Sequence, residues 1–175
     1  MMPTPDELIL ALLCAQPQHG YAVAEAFADP ERLGLIWDMS VSQVYKVLKR
    51  LEQAGLLDGT DIPVAAAPNR TEYRITAAGR DVLNKWLDEP NPSPSIRHVR
   101  VVFLSRMYAA HALQRPIAGI VQRQIQQCEQ QRAVVAAEYE AAQTDPARWA
   151  LGLHLHQIDA VLAWLSRLYA GHPVS

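Results

Sequence analysis

The sequence lacks the features that several large classes of protein require. It has only two cysteines, Cys14 and Cys128, among 175 residues, so a disulfide framework is not expected to stabilise the fold. No apolar run approaches the roughly 18 residues that a membrane-spanning helix needs. The N-terminus has neither a basic region nor a cleavage site of the kind that directs secretion. These absences predict a cytoplasmic protein that has no contact with the membrane.

The sequence also lacks the overall positive charge that many nucleic-acid-binding proteins carry. It has 16 lysines and arginines against 18 acidic residues, a formal net charge of −2. The charge is divided unevenly, because residues 1–90 hold 8 basic and 13 acidic side chains whereas residues 91–175 hold 8 and 5. Any surface that binds DNA must therefore be a local cluster of basic side chains.

No catalytic or metal-binding motif stands out in the sequence. It has no His-Glu-x-x-His, paired Cys-x-x-Cys, phosphate-binding loop or Gly-x-Ser-x-Gly pattern. His154 and His156 are two positions apart, so on a helix they point to different sides and form a poor metal pair. Adjacent acids such as Asp88 and Glu89 lie at expected helix ends, where capping explains them. We therefore expect no enzymatic activity, no cofactor and no metal site.

The first 89 residues show helical patterns and turn residues in the order of a winged helix-turn-helix domain. Helices are predicted over residues 5–15, 21–29 and 41–54, with Ser40 as the N-cap of the third helix and Gly55 at its end. Residues 56–75 then predict two short strands joined by a long loop, followed by a helix that Thr76 caps. The predicted fold class is mainly α, with an N-terminal winged helix-turn-helix.

A proline-rich linker, residues 90–95, is predicted to separate this domain from a helical domain over residues 96–175. Its helices are expected at about 96–114, 116–142 and 146–170. The last helix has apolar residues at 4-3-4-3-4 spacing, which is typical of a coiled-coil seam. The middle helix has a similar apolar rhythm, which Arg132 interrupts. Packing within the chain or against a second subunit would cover such seams, and two seams on so small a domain favour a homodimer. The predicted dimerisation residues are Leu151, Leu155, Ile158, Leu162, Leu165 and Tyr169.

The third predicted helix lies in SVSQVYKVLKRLEQAGLL, residues 40–57, and has an apolar side and a polar side. The apolar side is expected to pack against the first two helices through Val41, Val44, Val47, Leu48 and Leu51. In a helix-turn-helix the N-terminal end of this helix enters the major groove, where short polar side chains contact bases and lysines or arginines contact phosphates.

The predicted DNA-binding residues follow from that geometry. On the helix they are Ser40, Ser42, Gln43, Tyr45, Lys46, Lys49 and Arg50, and on the wing they are Arg70, Thr71 and Arg74. A solvated amphipathic helix that binds nothing explains the same spacing equally well. Tyr45 is expected either to pack against the second helix, which is favoured, or to contact a phosphate with its hydroxyl.

These segments resemble the PadR family of transcriptional regulators. The resemblance lies in a helix that begins at Ser40, has Tyr45 at its middle and continues as L-x-R-L-E-x-x-G-L from residue 48 to 56. Further similarity lies in HGY at 19–21 and EYRITAAGRDVLNKWL at 72–87. LIWDMSVSQVY at 35–45 and WLDEPNPSPSIRHV at 86–99 resemble the virulence-activator-like branch, which has a helical C-terminal domain. The resemblance implies a cytoplasmic homodimer on pseudo-palindromic double-stranded DNA, with half-sites about 34 Å apart.

The wing departs from the family pattern, because residues 62–69 are IPVAAAPN where relatives often have a basic, glycine-rich tip. With the acidic first half, this predicts modest affinity and a shallow salt dependence, with about four to eight phosphates contacted per dimer.

The resemblance also implies a small hydrophobic or aromatic effector, for which the candidate residues are Tyr139, Trp149, Trp164 and Tyr169. Packing in the core or at an interface is the favoured explanation of these aromatic residues. The alternative function is a coiled-coil protein-interaction adaptor with a degenerate winged domain.

Overall fold

The computed structural model describes residues 3–63 and 70–171, which form two compact units. The first unit comprises the chain up to Asp88 together with Leu104–Arg115, and the second comprises Glu89–Phe103 and the chain from Pro116 onward. Helices predominate, and the described residues contain one small three-stranded sheet. The predicted fold class, mainly α with a winged helix-turn-helix, is confirmed.

Four helices form the frame of the first unit: α1 (Asp6–Ala15), α2 (Gly20–Ala28), α3 (Val41–Gln53) and α4 (Ala77–Leu87). Helix α1 is the central one, because six consecutive residues from Leu8 to Leu13 are buried. A helix that is apolar on all sides must be covered on all sides. Accordingly α1 contacts α3, α4 and the sheet.

The sheet of the first unit is antiparallel, with strand β3 (Arg70–Ile75) between β1 (Gln18–His19) and β2 (Leu57–Ile62). Strands β2 and β3 form the predicted wing hairpin. Strand β1 was not predicted, because two residues are too short to show the alternation that marks a strand. Through β1, the chain that enters α2 is hydrogen-bonded to the base of the wing.

The C-terminal end of α3 is fixed to the start of α4. Gly55 has a φ of +70°, the left-handed conformation expected of a glycine that ends a helix. Its carbonyl accepts a hydrogen bond from the Thr76 hydroxyl at 2.8 Å, and the Thr76 hydroxyl oxygen in turn accepts one from the Gly79 N–H at 3.0 Å. A Cβ on Gly79 would lie 2.3 Å from the Leu56 carbonyl oxygen, so only glycine allows this approach.

Residues 96–112 form a helical segment that the unit boundary divides. It consists of α5 (Ile96–His98), a π-helical turn (Val99–Phe103) and α6 (Leu104–Ala112). The sequence placed this whole segment in the C-terminal domain, whereas the structure groups α6 with the first unit. The reason is specific packing, because α6 contacts α1 and α4 and buries Ser105, Arg106, Ala109 and Ala110.

Two polar contacts of α6 reinforce this grouping. The Ser105 hydroxyl accepts a hydrogen bond from the Trp37 indole N–H at 2.8 Å. The Arg106 guanidinium lies 5.3 Å from the centre of the Trp86 ring, which is cation–π geometry. Both aromatic partners lie far from α6 in sequence, so the spacing of apolar residues could not reveal which unit covers this helix.

The second unit is built on two long helices, α7 (Ala118–Ala141) and α8 (Asp145–Ala170), which form an antiparallel hairpin. Arg132, which interrupts the apolar rhythm of α7, donates a hydrogen bond to Asp159 of α8. This contact holds the pKa of the Asp159 carboxyl below its usual value and raises the pKa of Arg132. Among the described residues, no helix has the length and apolarity needed to cross a bilayer.

The proline-rich segment predicted as a linker is bound to α7 in the second unit. The Gln124 side chain, which is buried, donates to the Ser93 carbonyl at 3.1 Å, and Gln127 donates to the Asn91 side chain at 3.4 Å. Pro92 is also buried. Residues 91–93 therefore pack as part of the second unit, which proline and serine content alone does not indicate.

We predict that Gly79→Ala destabilises the first unit by about 1–3 kcal/mol, because the new methyl group collides with a backbone carbonyl that cannot move aside. Denaturant unfolding followed by circular dichroism measures this change. The matched control is Gly152→Ala in α8, where the new Cβ would lie 3.5 Å from Tyr139, an ordinary contact. The control is expected to stabilise the protein by about 0.5–1 kcal/mol. Equal effects of the two changes would contradict the proposed close approach at Gly79.

Candidate nucleic-acid interface

The polar side of α3 is exposed and its apolar side is buried. Val44, Val47, Leu48 and Leu51 are buried against α1 and α2. Val41 was predicted to join them, but 49% of it is exposed. It is the first residue of α3 and extends beyond the contact with α2, so the prediction was wrong for this position. The exposed residues on the polar side are Ser42, Gln43, Lys46, Lys49, Arg50 and Gln53.

A reciprocal pair of hydrogen bonds, a capping box, begins α3. The Gln43 N–H donates to the Ser40 hydroxyl oxygen at 3.3 Å, and the Ser40 N–H donates to the Gln43 side-chain oxygen at 2.7 Å. The hydroxyls of Ser40 and Ser42 lie 3.1 Å apart and share a further hydrogen bond. Ser40 is thus engaged in starting the helix. Gln43 uses its side-chain oxygen in the cap, which leaves its NH₂ group as the donor for another partner.

Tyr45 packs on the start of α2. A Cβ on Gly20 would lie 2.7 Å from a Tyr45 ring carbon and 3.2 Å from Leu48. The ring therefore rests directly on the Gly20 backbone, which fixes the approach of α3 to α2. Of the two expectations for Tyr45, the structure shows the packing contact. It also gives a physical reason for glycine in the HGY motif.

The cations of α3 differ in their partners. Arg50 forms an ion pair with Asp6 in the first turn of α1. Within the part of the chain that the structure describes, Lys46 and Lys49 form no ion pair. Their ammonium groups are therefore available to an anionic ligand. Residue spacing does not predict the Asp6 contact, because 44 positions separate the two residues.

On the wing, two of the three predicted residues already have partners. The Thr71 hydroxyl donates to Asp61 at 2.8 Å, and Arg74 approaches Glu72 at 3.4 Å. Arg70 is exposed and has no ion pair within the described ranges. Residues 64–69, which include most of the IPVAAAPN tip, lie outside the described residues.

The side of α3 that faces the wing is acidic. Glu52 of α3 and Asp61 of β2 lie near the Tyr73 hydroxyl, whose pKa is raised by burial first and then by these negative charges. A Cβ on Gly59 would lie 2.3 Å from a Glu52 carboxylate oxygen, so Glu52 extends along β2. The acidic flank is separate from the polar side that carries Lys46 and Lys49.

The predicted dimerisation seam faces the inside of the second unit. Ile158 is 1% exposed and Leu165 is not exposed at all in a single chain, so the prediction was wrong for these two residues. Their neighbours on the seam are partly covered as well: Leu151, Leu155, Leu162 and Tyr169. The seam packs against α7 because a short connection lets the two helices pair within the chain.

The apolar residues that α8 does expose lie on another side of the helix. Trp149 is 70% exposed and Leu153 is 63% exposed, and Trp164 is 36% exposed at a matching helical position. We call these three residues the α8 apolar stripe. The heptad spacing does not mark this stripe, because its residues lie outside the seam positions.

The four aromatic residues considered for an effector do not surround one cavity. Tyr139 packs against Gly152, and Trp164 contacts Phe103 edge-on at 5.9 Å between ring centres. Trp149 and Tyr169 lie about half a turn apart around α8. Among the described residues no group of three or more His, Cys, Asp and Glu side chains could hold a metal ion.

Three helices, a two-stranded wing and an exposed polar side on the third helix define the class of a winged helix-turn-helix protein. Residues 9–85 match the model of the transcriptional regulator PadR-like family. This part of the chain is therefore a PadR-like domain.

Two known proteins and one solved structure are similar to this chain. A probable transcriptional regulator of Mycobacterium tuberculosis is 30% identical over 82 residues, which are 47% of this chain and 42% of that protein. The chain thus aligns with less than half of this relative's length. The negative transcriptional regulator PadR of Bacillus subtilis is 27% identical over 133 residues, 75% of this chain and 71% of that protein. The crystal structure of Bacillus subtilis PadR in complex with operator DNA is similar over 99% of both chains, with 21% identity and a TM-score of 0.49.

Proposed function

We propose that this chain is a transcriptional regulator that recognises specific double-stranded DNA through α3, acting as a cytoplasmic homodimer on a pseudo-palindromic operator. The observation that carries the proposal is the exposed polar side of α3, where Lys46 and Lys49 have no ion pair among the described residues. A solvated helix shows the same exposure. The match of residues 9–85 to the PadR-like family favours DNA binding over the adaptor alternative.

Several of the predicted DNA-binding residues have a proposed role that follows from their contacts. Ser42 and the Gln43 NH₂ group contact base edges, because they lie in the first turn of the helix that enters the major groove. Lys46 and Lys49 contact phosphates. Arg70 adds a backbone contact from the wing. Ser40 and Tyr45 act indirectly, by starting α3 and by setting its angle to α2.

A gel-shift titration tests the proposed function. The probe is the DNA upstream of the gene that encodes this chain, and the competitor is a shuffled duplex of the same length and composition. The proposal expects a complex that the unlabelled probe displaces and the shuffled duplex does not. Equal competition by both duplexes, or no complex, would contradict it.

We predict that Gln43→Ala reduces the preference for the bound sequence over single-base variants by about 1–3 kcal/mol, since it removes the donor to a base edge. The change also weakens the cap of α3 by about 0.5–2 kcal/mol. The weaker cap affects binding to both duplexes equally. It therefore does not change the preference, which compares two duplexes bound by the same protein. An unchanged preference would show that the proposed orientation of α3 is wrong.

Lys49→Ala is the matched change at a phosphate contact. We predict that it weakens binding to all duplexes about equally and lowers the slope of log affinity against log salt by about one per protomer. The same titrations on the unmodified protein test the expectation of about four to eight phosphates per dimer. A loss of affinity confined to one sequence would place Lys49 at a base instead.

The dimer is proposed to form through the α8 apolar stripe, not through the seam that α7 covers. Trp149 and Leu153 are four positions apart, so they present one continuous apolar surface to solvent. Exposed apolar patches of this kind mark interaction sites. A second copy is the proposed occupant, because a pseudo-palindromic operator needs two winged domains related by twofold symmetry. The effector stays a prediction that only the family resemblance supports.

We predict that the double change Trp149→Ala and Leu153→Ala raises the dimer dissociation constant at least about tenfold, because buried tryptophans contribute strongly to interfaces. Sedimentation equilibrium measures this constant. Leu35→Ala is the control, since Leu35 is 81% exposed and lies in the first unit. A dimer that the double change leaves intact would exclude the stripe as its interface.

A further inference from the structure

One cation on α3 is held by an acid of the protein itself. The Arg50 guanidinium donates a hydrogen bond to the Asp6 carboxylate, and both side chains remain accessible, with 55% and 24% of their surfaces exposed. Arg50 lies one turn beyond Lys46 and next to Lys49. It therefore borders the surface that is proposed to contact DNA.

The position of Asp6 is fixed independently of Arg50. Asp6 lies in the first turn of α1, where the helix dipole favours a negative charge. The buried run from Leu8 to Leu13 holds α1 at the centre of the first unit. The carboxylate is thus held beside Arg50 by the packing of α1, and no flexible segment has to bring it there.

A carboxylate and a phosphate offer an arginine the same kind of contact. The carboxylate is planar and the phosphate is tetrahedral, but each presents two oxygen atoms that accept paired N–H donors from the guanidinium. A guanidinium held by Asp6 is less available to a DNA phosphate. The ion pair is exposed, and such pairs add little to the stability of the fold. The larger effect of the ion pair is on the binding of DNA, because a DNA phosphate competes with Asp6 for Arg50.

We propose that Asp6 competes with the DNA backbone for Arg50 and so lowers the affinity of α3 for every DNA sequence. Asp6 acts as a positioning residue through Arg50 and has no part in the choice of bases. The proposal rests on the proposed function, because it needs DNA to approach α3. It extends that function by assigning a control of affinity to a residue of α1 outside the recognition helix.

The test is Asp6→Asn, which removes the charge and keeps the size of the side chain. Binding to the upstream duplex and to the shuffled duplex is measured by fluorescence anisotropy over a series of salt concentrations. The proposal expects affinity for both duplexes to rise by about three- to tenfold in the dimer, as the loss of two competing exposed pairs implies. The salt slope should become steeper by about one per protomer, and the ratio of the two affinities should not change.

Two further variants separate this mechanism from a general change in charge. In an Arg50→Ala background, Asp6→Asn should give no gain, because the contested cation is absent. Asp81→Asn removes one exposed negative charge from α4 and should leave the affinity within about twofold of the unmodified protein. Thermal unfolding of Asp6→Asn should stay close to that of the unmodified protein.

The outcomes that overturn the proposal are distinct from those that overturn the function. Normal DNA binding by the unmodified protein, with unchanged or weaker binding by Asp6→Asn, would refute the competition and leave the proposed function intact. An equal gain in the Arg50→Ala background would refute it as well. Failure of the unmodified protein to bind either duplex would overturn the proposed function and this inference with it.

Discussion

The orientation of α3 depends on the packing of its apolar side against α1 and α2. Val44, Leu48 and Leu51 are buried there, so rotation of the helix about its axis would expose apolar surface and bury lysines. Local contacts fix the helix at both ends. The capping box of Ser40 and Gln43 sets its first residue, and the hydrogen bond from Thr76 fixes its C-terminal end to the start of α4. The polar side of α3 therefore has one position relative to the first unit.

Acidic and basic side chains lie on different sides of α3, in a unit that has more acidic than basic residues. Glu52 and Asp61 lie on the wing flank, and Asp6 lies on the flank that faces α1. Lys46 and Lys49 remain between these flanks. Because electrostatic attraction to DNA is largely independent of sequence, limiting it raises the relative weight of base contacts. In the proposed complex, acids near α3 reduce general attraction to DNA and leave selection to the first turn of the helix.

Local features of the sequence predicted much of the first unit. The bounds of α1 to α4, the Ser40 cap and the left-handed Gly55 follow from spacing and residue preference, which act over a few positions. Contacts between distant positions could not be predicted in that way. Strand β1 exists only by pairing with β3, and α6 joins the first unit through Trp37 and Trp86. The candidate site shows the same division, since the exposure of Lys46 was predicted and the engagement of Arg50 by Asp6 was not.

The second unit shows why heptad spacing does not identify an interface. A seam of apolar residues indicates that a helix is covered along that side, and it does not indicate which helix covers it. In α8 the cover is α7 of the same chain, because the antiparallel hairpin aligns Arg132 with Asp159 and Tyr139 with Gly152. Once α7 covers this seam, the apolar residues of α8 that stay exposed are those outside the heptad positions. Trp149 and Leu153 are two of them, so the proposed dimer contact lies on the side of α8 that the repeat does not mark.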